Sequence, residues 1–165
     1  MNIKELFENK HKLNSILSFH KTKSHFEIIP RNDFLVQAHL DKAKHNMAFF
    51  TKNMSDEKYS DWLIVILYYA LYYSSLALLV KKRLVSKNHF ATICLLIKEY
   101  GISESEAELF TQLAISKDDA NLYTMLKSDR HSASYSTNAT FNLQSIQFYR
   151  AKVIDFITKT QELIK

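Results

Sequence analysis

The densest run of reactive side chains is cationic: Lys81, Lys82 and Arg83 in succession, with Lys87 four residues on. Ammonium and guanidinium groups at this density attract the phosphates of RNA, DNA or anionic lipid. The same run also suits a solvated helix C-terminus, where cations complement the dipole. Just upstream lie two tyrosine pairs, Tyr68-Tyr69 and Tyr72-Tyr73. Exposed, such rings stack on nucleobases; buried, they fill a core with their hydroxyls at its edge. His89 follows at the start of a helix, a place that also suits a purely structural role. Asp41 and His45 stand one helical turn apart, the spacing of a solvated surface pair. No third ligand accompanies them. His11, His20, His25 and His39 form no zinc spacing either, so no metal and no cofactor is expected. With one glycine, Gly101, the chain has no glycine-rich phosphate loop. The sole cysteine, Cys94, excludes an internal disulfide and a cysteine-based zinc site. Its setting, ATICLLI, reads as a buried small side chain.

The elements that must position these groups are helices. The chain has 165 residues, enough for one domain with a real core. A single glycine and a single proline, Pro30, leave too few turn residues for a strand-rich fold. Residues 1–32 read as an N-terminal extension, a short amphipathic helix followed by an extended connector, KTKSHFEIIPRN, broken at Pro30. A long helix is predicted from about Asp33, with Val36, Leu40, Ala43, Met47, Phe50 and Met54 forming one apolar stripe. A second is predicted from Tyr59 or Ser60 to Leu84. Ser86 is positioned to cap a third, which Gly101 stops in the left-handed conformation. Ser103 and Glu106 form a capping box for a fourth, ending near Ile115. A fifth runs from Ser116 or Asp118 into Arg130. After the polar stretch SASYSTNATFN, Asn142 caps the last, with Ile146, Tyr149, Val153, Phe156 or Ile157, and Ile164 on one face. The expected architecture is all-α: an up-and-down helical bundle over 33–165, with two long central antiparallel helices and shorter flanking ones.

From Trp62 to Val80 no residue is charged. That length is near the threshold for crossing a bilayer. Four tyrosines and two serines within it count against a span, because tyrosine belts belong at membrane interfaces. The flanking amphipathic helices also need an apolar partner, and a helix apolar all round is what a bundle centre requires. The segment is therefore expected to be a core helix, with no membrane partner. The polar N-terminus and the single cysteine point to a reducing, cytoplasmic setting. The net charge of +5 favours polyanionic partners.

The order of these pieces resembles the HEPN family of small helical, often dimeric proteins. The residues carrying the likeness are Tyr68-Tyr69-Ala70, Leu78-Leu79 and Ser86-Lys87-Asn88-His89, followed by Arg130-His131-Ser132-Ala133-Ser134-Tyr135 and the final helix, Leu143 to Leu163. The likeness spans about residues 34–164.

This resemblance implies RNA or nucleotide contact, a homodimer and, in toxin–antitoxin or defence settings, a nucleotidyltransferase-type partner. With Arg130 from this resemblance, the basic residues Lys81, Lys82, Arg83 and Lys87 and the helix-start His89 make up the expected binding set. Many such proteins are metal-independent ribonucleases with an Arg-x(4–6)-His motif. An imidazole deprotonates the 2′-hydroxyl and the guanidinium grips the phosphate. The implied catalytic group here is Arg130, His131 and Tyr135. At the motif's histidine position, however, stands Tyr135, and a phenol with pKa about 10 is a poor base at pH 7. His131 neighbours Arg130 and points elsewhere on a helix. The leading expectation is therefore RNA or nucleotide binding. The alternatives are an active ribonuclease toxin using Arg130, and a structural interaction module whose partner carries the chemistry.

Overall fold

The computed structural model describes residues 3–55, 60–114 and 143–165. It is an all-α helical bundle with one small antiparallel ribbon. The helices are α1 (Lys4–Glu8), α2 (Lys10–Thr22), α3 (Asp33–Asn53), α4 (Ser60–Lys81), α5 (His89–Tyr100), α6 over 104–114, and α7 (Leu143–Ile164). The strands are β1 (Phe26–Ile28) and β2 (Leu84–Ser86). The expected fifth helix, the polar stretch after it and the Asn142 cap lie outside the described residues.

Helices α3 and α4 form the central antiparallel pair. The α3 stripe closes onto α4 as its spacing requires: Val36, Leu40, Ala43 and Phe50 are buried, and Met47 and Met54 pack against the same core. Val36 and Leu40 meet Ala77 and Val80, which fixes the direction of the pair. The third long helix, α7, lies along α4 and buries Ile146, Val153, Phe156 and Ile157. Helix α4 is the one described helix long and apolar enough to cross a membrane, over Trp62–Lys81. Yet 78% of its apolar window is buried within the protein. Its serines answer to the helix itself, Ser74 donating to the Ala70 carbonyl and Ser75 to that of Leu71, both at 2.9 Å. Helices α1 and α2, within residues 1–32, add Leu6, Leu13 and Leu17 to the same core.

Local signals set the helix ends. Ser103 and Glu106 form the reciprocal capping box: the Glu106 carboxylate accepts from the Ser103 N–H at 2.7 Å, and the Ser103 hydroxyl accepts from the Glu106 N–H at 3.2 Å. Lys159 of α7 donates to the same carboxylate at 2.7 Å. Those bonds hold the Glu106 carboxyl below its ordinary range against the opposing push of burial. Gly101 ends α5 at φ 56°, donating to the Ile97 carbonyl.

Two boundaries differ from the sequence expectation, for one physical reason. The second long helix stops at Lys81 instead of Leu84, because Arg83 adopts a left-handed φ of 63° and turns the chain out of the helix. Leu84–Ser86 is then extended and pairs with β1, inside the segment expected to be an extended connector; Phe26 faces Ser86 and Ile28 faces Leu84. Ser86 consequently sits within a strand and cannot cap α5. Asn88 does so, its side chain accepting from the Ala91 N–H at 2.9 Å.

The turn from α2 into β1 holds a pair of imidazoles. His20 is buried, and its Nδ1 lies 2.7 Å from Nδ1 of His25. A hydrogen bond at this distance requires at least one neutral ring. Burial and then His25 lower the His20 pKa from 6.5. The folded state thus disfavours protonation relative to the unfolded chain. The stabilisation is complete above about pH 6.5 and declines as pH falls from there through the lowered folded value. We expect the denaturation midpoint to fall between pH 7 and pH 5, and His20→Gln to flatten that slope, as read by urea titrations at each pH.

Candidate functional site

Strand β2 does more than pair. After α4 ends, it carries the chain back along that helix and delivers His89 against the middle of α4. Three short contacts fix the delivery: the Asn88 cap, the Ser86 hydroxyl donating to the Asn88 carbonyl at 3.1 Å, and the Thr92 hydroxyl 2.9 Å from the Ser86 oxygen. The His89 ring then lies 4.5 Å from the Tyr72 ring and 5.4 Å from that of Tyr68, centroid to centroid. Its Nδ1 is hydrogen-bonded to the Tyr68 hydroxyl. The phenol oxygen can donate or accept, so the imidazole tautomer follows from the direction this bond takes. Tyr68 itself is 1% exposed, so the bond anchors the ring rigidly to the core.

A cleft of about 200 Å³ opens beside this pair, lined by Tyr68, Tyr72, His89, Phe90, Ile93, Phe110, Thr111 and Ala114. It lies between α4, α5 and α6. The volume is below the roughly 300–1,000 Å³ of sites for drug-sized ligands, and so suits one ring system. Burial pushes the Tyr72 phenol upward; the Thr92 hydroxyl pulls the other way, and Tyr73 and Tyr69 add to the rise. Tyr72 is therefore a neutral, hydrogen-bonding ring at physiological pH. The aromatic surface continues past the cleft around α4: Tyr73 lies 6.3 Å from Tyr72 and 5.9 Å from His39 of α3. Burial lowers the His39 pKa, keeping that ring neutral as well.

The other sequence candidates are distributed differently. Lys81, Lys82 and Arg83 are exposed at the end of α4, about 14 Å along the helix from Tyr72 at 1.5 Å per residue. Lys81 donates to the Ile164 carbonyl at 2.6 Å and so caps α7. The Lys82 ammonium stands 5.4 Å from the Tyr100 ring centroid, and the Arg83 guanidinium donates to the Ile29 carbonyl at 3.3 Å. Lys87 is paired with Glu27 at 3.0 Å on the ribbon. His89 is thus brought to the tyrosines, and the Lys81–Arg83 run is not. Arg130, His131 and Tyr135 lie outside the described residues.

Cys94 is fully buried, and burial pushes its thiol up to about 12, which removes it as a nucleophile. Among the described residues no group of three potential ligands could hold a metal ion. Phe90 and Phe110 line the cleft but were not singled out in the sequence. Their only signal there was apolar character, which core residues share. Comparison with protein-family models, curated proteins and solved structures gives no match for this chain.

Proposed function

We propose that this protein is a HEPN-type RNA- or nucleotide-binding protein, in which the cleft beside His89 receives a nucleobase. The observation that carries this reading is the rigid His89–Tyr72 pair at the wall of a cleft sized for one ring system. A base entering there stacks on an aromatic face, an interaction worth about 1–3 kcal/mol per base and tolerant of sequence. The net charge of +5 supplies long-range attraction for phosphate. Function as a homodimer beside a nucleotidyltransferase-like partner belongs to the same proposal. Trp62 and Tyr69, both on α4 and 45% and 37% exposed, offer aromatic surface for a second subunit.

The testing experiment is a titration of the purified protein with single-stranded RNA and with mononucleotides at two salt concentrations. Saturable binding is expected, weaker for RNA at the higher salt as counterion release requires. Absence of binding to both ligands at the lower salt would overturn the proposal.

A further inference from the structure

The end of the bundle where α3 begins and α4 and α7 finish combines two kinds of exposed group. Phe34, in the first turn of α3, is 84% exposed, and Ile28 on β1 is 68% exposed. They are the two most exposed of the large apolar side chains among the described residues. Helical side chains tilt toward the helix N-terminus, which aims Phe34 off this end of the molecule. Around them stand Arg31, Lys81, Lys82 and Arg83, all exposed. The contacts gather Ile28, Lys81 and Arg83 at this end, and Phe34 follows in the first turn of α3. Arg83 reaches the Ile29 carbonyl, Ile28 faces Leu84 across the ribbon, and Lys81 reaches the end of α7. A small apolar cluster of Val36, Leu40, Ala77 and Val80, with Ile29 and Leu35 against it, joins α3 to α4 beneath this end. Asp33 is held by Arg31 at 2.8 Å, while none of Lys81, Lys82 and Arg83 has an ion-pair partner among the described residues.

We propose that this end face docks on an anionic lipid bilayer, with Phe34 and Ile28 entering the headgroup–acyl boundary and Lys81, Lys82 and Arg83 meeting lipid phosphates. The proposal is separate from the His89 cleft, which lies partway along α4. Phosphate attraction alone would equally suit RNA. A ring such as Phe34 could also stack on a base, but Ile28 beside it is aliphatic and offers no stacking face, and it gains by leaving water for acyl chains, which favours lipid. The docking is peripheral: the surface potential that drives it decays within a Debye length, about 8 Å at 0.15 M salt. It does not require α4 to leave the core.

The test is co-sedimentation of the full chain with vesicles of phosphatidylglycerol and phosphatidylcholine in equal parts, against phosphatidylcholine alone. Binding is expected only to the anionic vesicles and is expected to weaken at 0.5 M salt. Phe34→Ser should reduce it about tenfold, since the variant removes one inserted aromatic side chain. Phe34 is too exposed for its loss to affect folding, and an unchanged circular dichroism spectrum confirms this. Lys82→Gln should weaken binding as well. No binding to anionic vesicles, or full binding by Phe34→Ser, would overturn the proposal. So would single-stranded RNA binding that Lys82→Gln weakens and Phe34→Ser leaves intact, without vesicle binding, because the face would then be a nucleic-acid surface.

Discussion

Replacing Phe50 by alanine is expected to lower the unfolding free energy by about 3–5 kcal/mol, the range for emptying a buried aromatic site. Phe50 is fully buried, on the α3 face that closes onto the core around α4. The loss has two parts, the transfer free energy of the ring and the cavity left between helices too well packed to collapse. For a domain of this size that corresponds to a melting midpoint lower by roughly 10 °C. Phe49, its neighbour in sequence, is half exposed and off the stripe. Phe49→Ala is expected to change stability by less than about 1 kcal/mol. Thermal melts of the two variants side by side check the register of the central helix pair. Equal losses would mean that α3 is rotated from the position described.

The second large effect concerns the cleft. His89→Ala is expected to weaken nucleotide or RNA binding at least about tenfold, through loss of the stacked ring and of the imidazole's hydrogen-bonding capacity. Tyr72 separates the two contributions. Tyr72→Phe keeps the ring and should retain most of the affinity, whereas Tyr72→Leu removes the aromatic face and should lose nearly as much as His89→Ala. Tyr68 is unsuitable for this comparison, because it is buried and its replacement would damage the core. A calorimetric titration of each variant with the same oligonucleotide measures the differences. Equal affinities for wild type and His89→Ala would remove the cleft from the binding site.

Much of the bundle was legible in the sequence because its signals are local and periodic. The Val36–Leu40–Ala43–Phe50 stripe, the Ser103–Glu106 capping box and Gly101 each produced the structure that their chemistry requires. The uncharged segment at Trp62–Val80 was legible only indirectly, through the amphipathic faces around it. The ribbon was not legible. A left-handed Arg83 carries no sequence mark, and the pairing of Phe26–Ile28 with Leu84–Ser86 joins segments far apart in the chain. That pairing is also what brings His89 to Tyr72, so the centre of the candidate site depended on the least readable element. Phe34 had a faint signal: it lies two residues before Val36, a turn of about 200° from the apolar stripe.

The most direct test of the central claim is a nuclear magnetic resonance titration of the protein with a mononucleotide, following the imidazole resonances of all seven histidines. Nucleobase binding in the cleft predicts a saturable shift of the His89 ring signals, with Tyr72 ring protons moving in parallel and the His20–His25 pair unchanged. Saturable shifts confined to other histidines, with His89 silent, would contradict it.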